Sequence, residues 1–239
     1  MKNLIVQYYI GKELPEWAQM SSQLFQKYAE KYDADYEFKT NFEYCDNHYF
    51  ENLKVLYLDK YLKYNKVLYV DVDVIPENMS ENIFDVQIEE VGMVPEYRHQ
   101  DMDAPPLFST SNFENLYKLS AKSFHVPICK PKTVNSNYLM MNSGVILWSR
   151  EGRKSAREKF MDWKIWHKNL KSINQQICLD QPFTNGQVTK HLKYTELPLK
   201  WNHFPRFRFY EGRVPKDINF IHYTGGKKKM IKELHGDLL

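Results

Sequence analysis

Apolar positions arrive along this chain in short runs, separated by polar stretches whose hydrophobic spacing is helical, and that alternation predicts an α/β domain. Residues 3 to 10 read as a first strand. Pro15 then opens a helix whose apolar or aromatic positions include Trp17, Met20, Leu24, Phe25 and Tyr28. A short strand near Tyr36–Phe38 and a helix from about Asn52 to Tyr64 follow, and they lead into the apolar run Lys66–Val70. That run is nearly continuous and holds β-branched and aromatic residues, as does a strand covered on both faces. Val91–Val94 reads as another buried strand, and Glu96 to Thr110, with Pro105 and Pro106, as a loop of the length that lids and binding loops have. Tyr138–Met141 and Gly144–Trp148 are two further apolar runs, divided by Asn142 and Ser143. That polar pair is awkward to bury unless something hydrogen-bonds it. Helices are expected over about 151 to 169 and 174 to 187, and Asn219–His222 forms a last short strand.

Composition narrows the reading without deciding it. With 239 residues and 43% hydrophobic content the chain buries a full core, and no repeat, low-complexity block or linker divides it. One domain is expected. A formal charge of +3 is too balanced to announce a nucleic-acid or membrane partner by bulk electrostatics. The three cysteines, Cys45, Cys129 and Cys178, form neither a disulfide framework nor a zinc pattern, which fits a reducing compartment. The opening residues carry no signal-peptide core or membrane anchor, so a cytoplasmic protein without a transmembrane segment is expected.

The chemistry concentrates where Lys66–Val70 ends in Asp71-Val72-Asp73. Ligands of open α/β sheets bind beyond the carboxyl ends of the strands, so an acid pair arriving there faces a ligand. An Asp-x-Asp triplet is also a common turn or helix cap, and only its place after a buried strand raises it above that. Asp73 with His222 offers carboxylate and imidazole oxygen and nitrogen ligands, a set that favours Mn²⁺ or a similar ion over Ca²⁺. Just beyond, the segment from His222 to Lys229 joins two glycines, Gly225 and Gly226, to the ammonium groups of Lys227, Lys228 and Lys229. Close backbone approach and positive charge suit a nucleotide diphosphate. The same residues also permit a metal-dependent phosphoesterase or nuclease, although the single acid pair is sparse for a two-metal site. A third reading is a non-catalytic carbohydrate or RNA binder, stacking ligands on Trp201, Phe204, Phe207 and Tyr210 beside Arg206 and Arg208. The bland alternative for that stretch is packing at the core edge.

Taken in order, Asp71-Val-Asp73, Asn142-Ser-Gly-Val145, Asp180-Gln181, Leu197-Pro198 with Trp201-Asn202, and His222 to Lys228 resemble metal-dependent glycosyltransferases of the GT-A fold, and family eight in particular. That family includes glycogenin and bacterial lipopolysaccharide galactosyltransferases. The resemblance implies a mostly parallel sheet flanked by helices, with a nucleotide-binding half at 1–95 and an acceptor-side half at 96–239 that ends in the metal and diphosphate segment. It also implies a UDP-sugar donor, a glycan or glycoconjugate acceptor, hexose transfer with retention of configuration, and Mn²⁺ as cofactor, with Mg²⁺ as the alternative. Residue by residue, it implies Asp71, Asp73 and His222 as metal ligands. Gln7, Tyr8, Lys54, Asp71, Val72, Asn142, Ser143, Gly225 and Lys228 would contact the donor, with Gln7 and Tyr8 flanking the uracil. Asp180 and Gln181 would stand at the reacting carbon, Gln181 as a weak nucleophile and Asp180 as the base if the enzyme inverts. Trp201 and Asn202 are the acceptor candidates. Two departures touch the acceptor side: Lys229-Met230 stands where the family has Pro-Trp, and Asp180-Gln181 continues into Pro182-Phe183.

Overall fold

A computed structural model of the chain describes residues 1–95, 122, 141–171, 180–205 and 217–236. A six-stranded sheet in the order β2-β1-β3-β6-β5-β7 forms its centre, with a two-stranded ladder, β4-β8, beside it. The strands are β1 (Leu4–Tyr8), β2 (Asp35–Lys39), β3 (Lys66–Val70), β4 (Val74–Pro76), β5 (Val91–Pro95), β6 (Met141–Ser149), β7 (Tyr194–Glu196) and β8 (Phe220–His222). Within the six-stranded sheet neighbours run parallel except around β6, which is antiparallel to both β3 and β5, and β4 pairs antiparallel with β8.

Helices cover both faces, so alternate side chains of each central strand enter different cores. Leu4, Val6, Val67, Tyr69, Ile146 and Trp148 pack with Phe50, Leu56, Trp166 and Phe183 on one face. Ile5, Leu68, Val70, Val145 and Leu147 pack with Phe25, Tyr28, Trp201 and Phe220 on the other. Because both faces are buried, the strands read as continuous apolar runs with no polar alternation. The first helix, α1 (Glu16–Lys31), buries Met20, Leu24, Phe25 and Tyr28, four of the expected apolar positions, and packs against β4 and β2.

Three sequence expectations take a different form. The helix expected over 52–64 is split into a 3-10 turn at Glu51–Leu53, a short α2 (Lys54–Tyr57) and a second 3-10 turn at Asp59–Tyr61, with Leu58 extended between the last two. The break brings Lys60 to Glu37 and Glu43, and the Tyr61 hydroxyl to Glu37, while the Tyr61 ring stays in the core. Tertiary contacts override a weak local preference there. The helix expected over 151–169 is two, α3 (Arg150–Lys159) and α4 (Trp163–Lys171). Phe160 turns extended so that its ring packs edge-on to Trp148 and Phe183, and the Asp162 side chain accepts from the Lys164 amide at 2.9 Å to restart the helix. The runs on either side of Asn142 and Ser143 meet in one strand from Met141 onward, while 138–140 lie outside the described residues. Of the helix expected over 174–187, residues 174–179 lie outside the described residues, and the described part is α5 (Asp180–His191). The loop read at Glu96 to Thr110 and the residues Arg206–Tyr210 lie outside the described residues.

Close approach explains Gly152 in α3. A Cβ there would lie 1.9 Å from the Glu90 carbonyl oxygen, a backbone atom that cannot swing away. Gly152→Ala is therefore expected to destabilise the fold by about 1–3 kcal/mol, measured as a lowered urea midpoint at unchanged slope.

Candidate active site

Strand β3 delivers Asp71 to the sheet's carboxyl edge, where the Asp71 amide continues the ladder by donating to the Gly144 carbonyl at 2.8 Å. The chain then turns, with the Val74 amide donating to the Asp71 carbonyl at 3.1 Å, and enters β4. Antiparallel pairing of β4 with β8 sets Val74 opposite His222, and the Tyr223 amide donates to the Asp73 carbonyl at 2.8 Å. Backbone hydrogen bonds thus place residues about 150 positions apart side by side. His222 Nε2 lies 3.2 Å from Asp73 Oδ1 and 3.8 Å from Asp71 Oδ2, and one ligand atom from each of the three residues falls within 4.8 Å of the others. Carboxylate oxygens plus one imidazole nitrogen are a donor set that a small divalent ion accepts.

Two supports aim these groups. Tyr69, two residues before Asp71 and so on the same strand face, donates its hydroxyl to Asp71 Oδ1 at 2.5 Å. Behind His222 runs a buried amide relay. Asn142 donates to Gln181 Oε1 at 3.1 Å, Asn202 donates to Asn142 Oδ1 at 2.7 Å, and His222 Nδ1 lies 3.0 Å from Asn202 Oδ1. Since the Asn202 amide nitrogen is committed to Asn142, its oxygen accepts from Nδ1–H. Nε2 is thereby the imidazole atom that faces the carboxylates, as in metal sites where a neighbour sets the histidine tautomer. Gly144 completes the arrangement, because a Cβ there would lie 2.2 Å from His222 Cε1.

The charges balance locally. Burial tends to neutralise Asp73, but His222 and Lys228, whose ammonium lies 2.9 Å from Asp73 Oδ2, hold its carboxyl down at about 2. Burial and the neighbouring charge of Asp73 raise Asp71. Burial disfavours the charged form of His222, yet Asp73 and then Asp71 raise its basicity above the ordinary imidazole value. At the start of α5, burial and then the charge of Asp71 push Asp180 up to about 7, against hydrogen bonds from Ser143 and from Asn52, whose amide donates to Asp180 Oδ2 at 3.0 Å. A carboxyl group near 7 can donate or accept a proton at neutral pH.

The other residues singled out in the sequence take diverse positions. Val72 is 9% exposed, Ser143 gives its amide to Gln181 Oε1 at 3.3 Å, and Gly225 begins the 3-10 turn that carries Lys228. Gln7 is buried, donates to Ser21 and to the Asp71 carbonyl, and accepts from the Tyr36 hydroxyl. Tyr8 donates its hydroxyl to the His48 carbonyl and packs against Tyr69. Lys54 is fully buried, with Nζ 3.1 Å from Glu43 and 4.0 Å from Glu51, and 5.4 Å from the Tyr8 ring centre. Lys227 is also buried and donates to the Pro205 carbonyl, leaving Lys228 as the ammonium at the acid pair. Trp201, Asn202 and Phe204 are at most 2% exposed: Trp201 packs edge-on to Phe220 and Phe204 against His222, so these two rings are core and not open stacking platforms. Asn52 and Tyr69 escape the sequence reading. Their signal is position alone, one in the turn before Lys54 and the other standing two residues before Asp71.

The fold, with this acid–imidazole cluster at the sheet's carboxyl edge, is of the GT-A type. The chain belongs to glycosyltransferase family 8, whose model matches residues 5–229. Among solved structures it is similar to a glycosyltransferase involved in glycosylation of the major capsid of PBCV-1, with TM-score 0.54 and 14% identity over 100% of both chains. It is also similar to the bifunctional glycosyltransferase WbbM in its apo form, with TM-score 0.58 and 13% identity over 99% of this chain and 49% of that one. At such identities the likeness concerns the fold. No curated protein matches the chain by sequence.

Because its folded value is raised above the unfolded one near 3.9, Asp180 holds its proton more tightly in the folded chain. Its contribution to stability is fully present below about 4 and is lost as pH rises through about 7. In chelator, wild type is therefore expected to lose up to about 4 kcal/mol relative to Asp180→Asn across that window, measured by denaturant unfolding at each pH.

Proposed function

We propose that this chain transfers a hexose from a UDP-sugar to a hydroxyl of a glycan or glycoconjugate, with retention of configuration and with Mn²⁺ as the ion at Asp71, Asp73 and His222. The observation that carries this reading is the convergence of those three side chains, with Lys228 against Asp73. A divalent ion bound there would neutralise charge on the departing diphosphate.

The chain's own residues supply the rest. Lys228, half-buried on its glycine-led turn and 4.8 Å from the Trp17 ring centre, is close enough to exchange Asp73 for a phosphate oxygen. Asp180, near neutrality and steadied by Asn52, is suited to hold a sugar hydroxyl beside the reacting carbon. Gln181 Oε1 already accepts from Asn142 and from the Ser143 amide. Attack by that oxygen would forfeit both bonds, which favours departure of UDP and entry of the acceptor on one face over a covalent intermediate on Gln181. Membership of the family, and the lack among the described residues of a second group of acids placed to share an ion, set this reading above a phosphoesterase. A cytoplasmic setting accords with the free thiol at Cys45, and no helix among the described residues is long and apolar enough to cross a membrane.

Asp73→Ala is expected to reduce Mn²⁺-dependent UDP release from UDP-hexoses at least about 100-fold, since even supporting residues of metal sites are worth 10- to 100-fold. Retained turnover would refute the assignment. Lys228→Met removes the tethered cation from Asp73, so it should tighten Mn²⁺ binding by the donor-free protein in calorimetry while slowing UDP release. Weaker binding would show that Lys228 does not compete with the ion.

A further inference from the structure

We infer that a cavity apart from the acid–imidazole cluster, between the turn at 44–46 and the start of α4, binds saccharide units of the acceptor beyond the one that receives the sugar. The inference rests on the glycosyl-transfer reading above. The cavity has a volume of about 510 Å³, within the range of small-molecule sites, and its lining includes Tyr44, Asp46, Tyr57, Asp162, Trp163 and Lys164.

The chemistry of this lining points to a neutral sugar. Tyr44 and Tyr57, both partly exposed, stack in parallel with centroids 5.0 Å apart and 4° between planes, and Trp163 stacks on Phe50 at 4.6 Å. The partly exposed rings of Tyr44 and Tyr57 present apolar surface to the C–H faces of a pyranose, whereas Trp163, 5% exposed, belongs to the core behind the lining. Around them stand the exposed carboxylates of Asp46 and Asp162 and the exposed ammonium of Lys164. Among the described residues none of these three forms an ion pair, although the Lys164 ammonium lies 6.0 Å from the Trp163 ring centre and the Asp162 carboxylate also accepts the Lys164 amide. Two acceptors and one donor at the rim, over aromatic walls, match a ring of hydroxyls. A phosphorylated ligand would meet two negative charges, and a lipid tail would meet a rim it cannot desolvate.

The site is built beforehand and tied to the candidate active site. The buried Glu51 carboxylate accepts from the amides of Glu43, Tyr44 and Cys45 at 2.8 to 3.3 Å, which fixes the turn that carries Tyr44 and Asp46. In the same three-residue stretch, Phe50 stacks on Trp163 while Asn52 donates to Asp180. Consecutive residues therefore join the cavity wall to the carboxyl group assigned to the reacting sugar. With Trp201 and Asn202 buried, this cavity is a place for acceptor contacts that the sequence reading does not reach.

Titration calorimetry with maltohexaose, cellohexaose and chitohexaose tests the inference, with UDP plus Mn²⁺ titrated separately into the same samples. At least one hexasaccharide is expected to bind wild type. The double variant Asp46→Asn, Asp162→Asn keeps an acceptor oxygen for the α4 cap and should weaken that binding about tenfold or more, since hydrogen bonds to charged groups are the stronger kind. Its UDP–Mn²⁺ affinity should be unchanged, which reports intact folding. Absence of binding by all three sugars, or equal binding by the double variant, overturns the site. Failure of wild type to bind UDP with Mn²⁺ would instead strike the proposed function, so the two failures are distinguishable.

Discussion

Two aspartates two residues apart at the mouth of a buried strand repel each other in surroundings that hydrate them poorly, and the molecule is arranged around relieving that repulsion. Relief comes from distant parts of the chain: an imidazole on β8, an ammonium on the turn that follows it, and a tyrosine hydroxyl on β3 itself. Each would sit uncomfortably alone. A buried histidine beside two carboxylates gains charge it would otherwise lose to burial, and Asp73 stays ionised far inside the protein because two cationic partners face it. The same charges that stabilise the donor-free protein are those a diphosphate and a divalent ion would rearrange.

Precision at this cluster comes from backbone pairing. The β4-β8 ladder and its extension through the Tyr223 amide leave little freedom in the separation of Asp73 and His222. Gly144 lets the imidazole lie directly on β6, and the relay through Asn202 and Asn142 carries the orientation of that ring to Gln181 at the head of α5. A polar chain of this kind is stable inside the protein only when its members satisfy one another. That is why Asn142 and Ser143 interrupt an otherwise apolar strand without ending it.

Beyond the carboxyl edge, the segment Phe50–Asn52 joins separate tasks. Phe50 supports an aromatic wall, Glu51 gathers the amides of a turn, and Asn52 steadies Asp180. Phe50 caps a 3-10 turn that holds Glu51 and Asn52, and this turn ahead of α2 aims three consecutive side chains at three different partners.

The sequence by itself determined the class of the fold, the strand that ends in Asp71-Val72-Asp73, and the residue types able to hold a cation, because apolar runs buried on both faces and acids placed after them are local patterns. Its ordered motifs were also enough to bring the family into view. Only the tertiary structure decided that β6 runs antiparallel through the sheet, that Asn202 serves His222 from within the protein, and that Trp201 is core while Tyr44, Tyr57 and Trp163 border a cavity. These outcomes depend on contacts between residues far apart in the chain. The free energy of such contacts is absent from any window of neighbouring residues, and it overrides local preference wherever the two differ.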